Sequence, residues 1–94
     1  MIKREKRFSF HWGAGVVAEE VQVEGRYHVP TIQLLKYTEG DAIGEVSVRF
    51  CHYSHSGGFR RSPLVMSPEE IDEMREALRE TPELREILRR LVEP

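Results

Sequence analysis

The chain has one cysteine, Cys51, no asparagine, only two glutamines, and three lysines against eleven arginines. A lone cysteine excludes an intrachain disulfide, and small secreted domains usually need several, so the composition points to the cytoplasm. No Cys-x-x-Cys pair is present, which removes the common zinc-ribbon and redox motifs. Gly13-Ala14-Gly15 lacks the later glycine of a dinucleotide fingerprint, and Gly57-Gly58 lacks the Lys-Ser/Thr of a phosphate loop. With no paired-carboxylate or nucleophile signature either, enzymatic activity and a bound cofactor are not expected. Repeats of solenoid length and low-complexity tracts are also missing.

The uncharged run Phe8–Ala18 follows a basic opening, Met1 to Arg7, and so mimics a secretory leader. It is far shorter than the ~20 apolar residues that span a bilayer. Ser9, His11, Gly13 and Gly15 dilute it, and Phe8, Phe10 and Trp12 alternate as a strand does.

What is present suits one small globular domain covering residues 1–94. Hydrophobic residues make up 39% and charged residues 32%, with a net charge of −2. Residues 1–66 hold nine Lys and Arg against seven Asp and Glu, whereas residues 67–94 hold five against nine. The first part is mildly basic and the second acidic, and neither value alone argues for nucleic acid.

Residues 1–66 read as a β-sheet. A first strand carries Phe8, Phe10 and Trp12 on one face and is broken or bulged at Gly13–Gly15. Val17, Val21 and Val23 mark a second strand ending at Glu24-Gly25, and Thr31–Tyr37 a third, central one with apolar groups on both faces. The clearest strand is the fourth, where Val46, Val48, Phe50 and His52 alternate with Ser47, Arg49, Cys51 and Tyr53. The turn Ser54–Gly58 joins it to Phe59-Arg60-Arg61 and a short apolar segment, Leu64-Val65-Met66.

Residues 67–94 read as helical. Ser67-Pro68-Glu69-Glu70 is a capping box with proline at the first helical position, followed by the stripe Ile71, Met74, Leu78. Thr81-Pro82-Glu83 repeats the start signal, so a second helix follows with Leu84, Ile87, Leu88 and Leu91 on its apolar face. The fold class expected is α+β: an antiparallel sheet of four to five strands followed by two C-terminal helices. The two stripes together exceed what one sheet face covers in so short a chain, which predicts a homodimer through Ile71, Met74, Leu78, Leu84, Ile87, Leu88 and Leu91.

Cys51, His52 and His55, with His28 or His11, contain metal-ligating atoms, but Cys51 and His52 project to opposite faces of a strand, so no metal site is expected. Cys51 also lacks the surroundings of an activated thiol and reads as a packed side chain. The polar face of the fourth strand and the turn beyond it interleave arginines with aromatic rings, the combination that tracks phosphates and stacks on unpaired bases.

Over Ile32–Leu78 the chain resembles the positive-cofactor-four family of single-stranded-DNA-binding transcription proteins. The resemblance rests on the strand Ile32–Tyr37, the strand Val46–Tyr53, a glycine-containing basic turn, and Leu64-Val65-Met66-Ser67-Pro68-Glu69-Glu70-Ile71. It departs from that family at Ile71, where tryptophan is common, at Pro63, where glycine is usual, and in the added helix at Thr81. The resemblance implies single-stranded DNA as partner, with Lys36, Arg49, Tyr53, Phe59, Arg60 and Arg61 as contacts and a homodimer through the helix. The other reading of the same residues is a protein-interaction or structural module that assembles through its helices.

Overall fold

A computed structural model describes residues 5–94. The first four residues of the basic opening Met1 to Arg7 that suggested a leader lie outside them. The chain forms a five-stranded antiparallel sheet followed by two helices, an α+β arrangement. Strands β1 (Arg7–Phe10), β2 (Gly13–Gln22), β3 (Val29–Glu39), β4 (Val46–Tyr53) and β5 (Phe59–Arg60) run in spatial order 1-2-3-4-5, an uninterrupted meander. Helices α1 (Pro68–Ala77) and α2 (Pro82–Leu88) each run on into a 3-10 turn, Leu78–Glu80 and Arg89–Leu91.

Local chemistry sets the bends. The first strand stops at Phe10 instead of reaching Trp12, because Phe10 pairs with Gly13 and His11-Trp12 forms a two-residue hairpin turn. The glycines expected to break that strand open β2, with a register shift between Ala14 and Gly15. A side chain at Gly15 would collide with the Lys36 carbonyl, so only glycine permits β2 to lie this close to β3. At the start of β4, the Gly44 amide donates to the Tyr37 carbonyl (3.0 Å) and the Tyr37 amide to the Glu45 carbonyl (3.1 Å). With φ +87° at Gly44, this is a glycine bulge that adds twist where the hairpin begins.

The sheet curls. In flat pleated geometry β1 and β4 would stand about 14 Å apart. Instead the Lys6 ammonium, just before β1, lies 5.1 Å from the Tyr53 ring centroid, and the Arg49 guanidinium of β4 lies 6.0 Å from that of Phe10. Both contacts are made across one face, which is therefore concave. The helices cover the other, convex face, where Val21, Val23, Ile32 and Leu34 pack against Met74 of α1 and Leu84 of α2. Fully burying side chains of this size contributes roughly 1.5–3 kcal/mol each.

The helix starts use two different caps. Ser67 Oγ accepts from the Glu70 amide (3.1 Å) while Glu70 Oε1 accepts from the Ser67 amide (2.8 Å), the reciprocal box the sequence predicts. Thr81 does not cap α2; its hydroxyl turns back and donates to the Leu78 carbonyl. Glu19 of β2 replaces it, its Oε1 accepting from the Leu84 amide at 2.6 Å. A carboxylate suits the positive end of a helix, and this one also ties α2 to the sheet.

Leu64-Val65-Met66 does not form a strand. The His28 and His52 rings meet through their Nδ1 atoms at 2.8 Å; His28 Nε2 donates to the Val65 carbonyl (2.8 Å), and His52 Nε2 lies 2.9 Å from the Ser62 carbonyl. These bonds draw residues 62–65 onto the convex side, so β5 ends after two residues.

Candidate nucleic-acid interface

Residue parity and the curl decide which side chains meet on the concave face. β3 pairs with β4 in the register Thr31–Cys51, Gln33–Arg49, Leu35–Ser47, and these residues face inward, as do Tyr53 and its β5 partner Phe59. From the other side of the curl come Lys6, Phe8, Phe10 and Trp12. Phe8, Leu35, Tyr37 and Ala42 form a small second core at one end.

Gln33 is completely buried and acts as a hub. Its amide nitrogen donates to Glu20 Oε2 (2.6 Å) and Tyr53 Oη (3.0 Å), and its Oε1 accepts from Arg49 Nε (2.7 Å) and, at 3.7 Å, from the Cys51 thiol. Lys6 closes the network with an ion pair to Glu20 at 2.8 Å. Burial pushes the Cys51 thiol above its ordinary pKa, outweighing the lowering by nearby Arg49. Burial thus favours the thiol form of Cys51, which donates to Gln33.

Arg49 is held through Nε and lies between two rings, 5.4 Å from the Phe59 centroid and 6.0 Å from Phe10. Phe10 stacks on Trp12 at 4.7 Å and 10°, and Phe59 meets Tyr53 edge-on at 5.5 Å. The result is a continuous row, Trp12, Phe10, Arg49, Phe59, Tyr53, spanning the face. Trp12 is 42% and Phe59 50% exposed. Trp12 is oriented by its indole N–H, which donates to Tyr37 Oη at 2.9 Å. Beyond Tyr53 the row ends in a cavity of about 340 Å³ lined by Lys6, Glu24, Ser54, His55 and Gly57 among others. There His55 Nδ1 meets Glu24, and that bond raises the histidine pKa.

Among the residues expected to contact nucleic acid, Arg49, Tyr53 and Phe59 come together. Arg60 pairs with His52 in the β4–β5 register, so it alternates to the other face from Phe59, and Arg61 follows it; both are exposed. Arg49, Arg60 and Arg61 form no ion pair among the described residues. Lys36 does not join them. It stands opposite Val46, on the convex face, and is paired with Glu83 at 3.1 Å. Phe10 and Trp12 are members of the row that the sequence places on one face of the first strand without linking them to Arg49; their alternation is visible there, but not the curl that carries them to it.

The residues expected at a dimer interface divide differently. Met74 and Leu84 are buried inside the chain's own core, Leu78, Ile87 and Leu88 pack against it, and Ile71 and Leu91 are exposed. The histidines and cysteine considered as ligands are dispersed: Cys51 faces inward, His52 is bound to His28, and His55 to Glu24. Among the described residues no three His, Cys, Asp or Glu side chains are grouped to hold a metal ion. No helix among them is long and apolar enough to cross a membrane.

This architecture defines a curled antiparallel meander with two helices on its convex side and an aromatic–arginine row on its concave side. No family model matches the chain, and no curated protein or solved structure matches it.

Proposed function

We propose that the protein binds single-stranded nucleic acid on its concave face, as a cytoplasmic DNA-binding protein of the transcription-cofactor kind. The observation that carries the reading is the row Trp12, Phe10, Arg49, Phe59, Tyr53, with an arginine that has no carboxylate partner among the described residues. Unpaired bases stack on exposed rings, and a guanidinium held between rings serves both as a cation for phosphate and as a stacking plane. Arg60, exposed on the other side of the edge strand, and exposed Arg61 after it are next to Phe59, where a backbone leaving the row over the sheet edge would pass. The acidic helical tail packs on the opposite side, away from this face.

The test is fluorescence anisotropy of a labelled mixed-sequence single-stranded oligonucleotide at two salt concentrations. Phosphate contacts release counterions, so affinity falls as salt rises. Replacing Arg60 and Arg61 by Ala flattens that dependence. Phe59→Ala weakens binding by about 1–3 kcal/mol per base lost and leaves the salt slope intact. Absence of binding by the wild type at low salt overturns the reading.

A further inference from the structure

The outer edge of β4 is bare. Glu45 turns its carbonyl toward β3, accepting from Tyr37, whereas the Ser54 amide points outward to the Gly58 carbonyl. Along an antiparallel strand these directions alternate, so Val46, Val48 and Phe50 present their N–H and C=O groups outward. β5 pairs only with His52 and Tyr53, and no other strand lies along that edge among the described residues. Residues 62–65, which would continue β5, are pulled away by His28 and His52. From Val46 to Cys51 the edge has no proline, no lysine and no bulge, and its one charged side chain, Arg49, is held over β3 by Gln33. Its convex-side residues are apolar and half covered, with Val46 49% and Phe50 50% exposed.

We infer that this edge pairs with the same edge of a second copy of the chain, antiparallel, with Ser47 on the twofold axis. Such an interface must be self-complementary, and the sequence around Ser47 is. Val46 of each chain faces the partner's Val48, both residues with outward backbone groups, so the two pairs exchange four hydrogen bonds. Glu45 stands opposite the partner's Arg49 on the concave side, opposite in sign, while Gln33 still holds the guanidinium inward.

Neighbouring registers are worse. With Val48 on the axis, the end of the partner's β5 meets Gly44 and Glu45, because Arg60 pairs with His52. With Arg49 on the axis, two arginines face each other directly, a destabilising like-charge pair. The inference does not rest on the nucleic-acid reading, but it brings a carboxylate near Arg49 at the edge of the row.

Analytical ultracentrifugation of the full chain, with cross-linking of two cysteine variants, tests it. Wild type sediments as a dimer, and Val46→Lys, which places a charge opposite the partner's Val48 on an exposed strand position, sediments as a monomer that keeps the wild-type circular-dichroism spectrum and a cooperative melt, without the concentration dependence of the dimer's melting temperature. Ser47→Cys brings two thiols together at the axis, where facing Cα atoms are about 4.5 Å apart, and yields a disulfide-linked dimer under mild oxidant. Glu45→Cys does not, since its symmetry mates are about 14 Å apart. A monomeric wild type, a Val46→Lys variant that still dimerises, or cross-linking at Glu45→Cys as readily as at Ser47→Cys overturns the proposal. The first of these results would leave the edge to a strand from another protein.

Discussion

On the convex face Val21, Ile32 and Leu34 are covered by Met74 and Leu84 arriving from the helices, whereas on the concave face Thr31, Gln33 and Leu35 are covered by side chains of the sheet's own strands and the segment leading into β1. The same strands build both. The convex side is closed by apolar burial. The concave side is closed by Gln33, Glu20, Arg49, Tyr53 and Lys6, whose hydrogen bonds each contribute only about 0.5–1.5 kcal/mol net but fix where the guanidinium and the rings stand. One face holds the fold together and the other presents chemistry.

That division predicts unequal responses to mutation. Leu84→Ala on the convex side empties a completely buried position between α2 and the sheet and lowers unfolding free energy by about 2–5 kcal/mol in denaturant titration. Gln33→Leu keeps the concave position filled but strips partners from Glu20, Arg49 and Tyr53. The expected loss is about 1–3 kcal/mol, with a larger loss in oligonucleotide affinity than Leu84→Ala causes in the population that remains folded. Glu19→Ala removes the borrowed cap of α2 and costs about 1 kcal/mol, while leaving the concave face and its ligand affinity unchanged.

The smallest effect belongs to the rim. The Glu24 bond raises the His55 pKa, so the folded state holds that proton more tightly than the unfolded chain. Its contribution is complete below the ordinary histidine value and disappears as pH rises through the raised one. In an NMR titration His55 therefore ionises at a higher pH than free histidine, and Glu24→Gln returns it toward the ordinary value. Equal midpoints in the two proteins would show that the bond does not form.

Much of this division was legible in the sequence because it is local. The alternation through Val46–Tyr53 separates the polar side chains from the apolar ones, and the Ser67 box fixes the start of α1. What escaped depends on partners distant in sequence. Nothing around Thr81 reveals that Glu19 caps α2, or that His28 and His52 prevent Leu64–Met66 from lengthening β5. Lys36 was misplaced for a simpler reason: its side follows from the β3–β4 register, which the bulge at Gly44 sets. Phe10 and Trp12 were legible as one face of the first strand; only the curl of the sheet makes them neighbours of Arg49.

Trp12 is the only tryptophan in the chain and stands at one end of the row, stacked on Phe10 and 42% exposed. Its fluorescence therefore reports directly on the concave face without any label. Titration with an unlabelled single-stranded oligonucleotide is predicted to give a saturable change in Trp12 emission that weakens with added salt and is lost in Phe10→Ala together with Phe59→Ala. Emission that stays constant while anisotropy reports a bound oligonucleotide would contradict the account, because the strand would then lie away from the aromatic–arginine row.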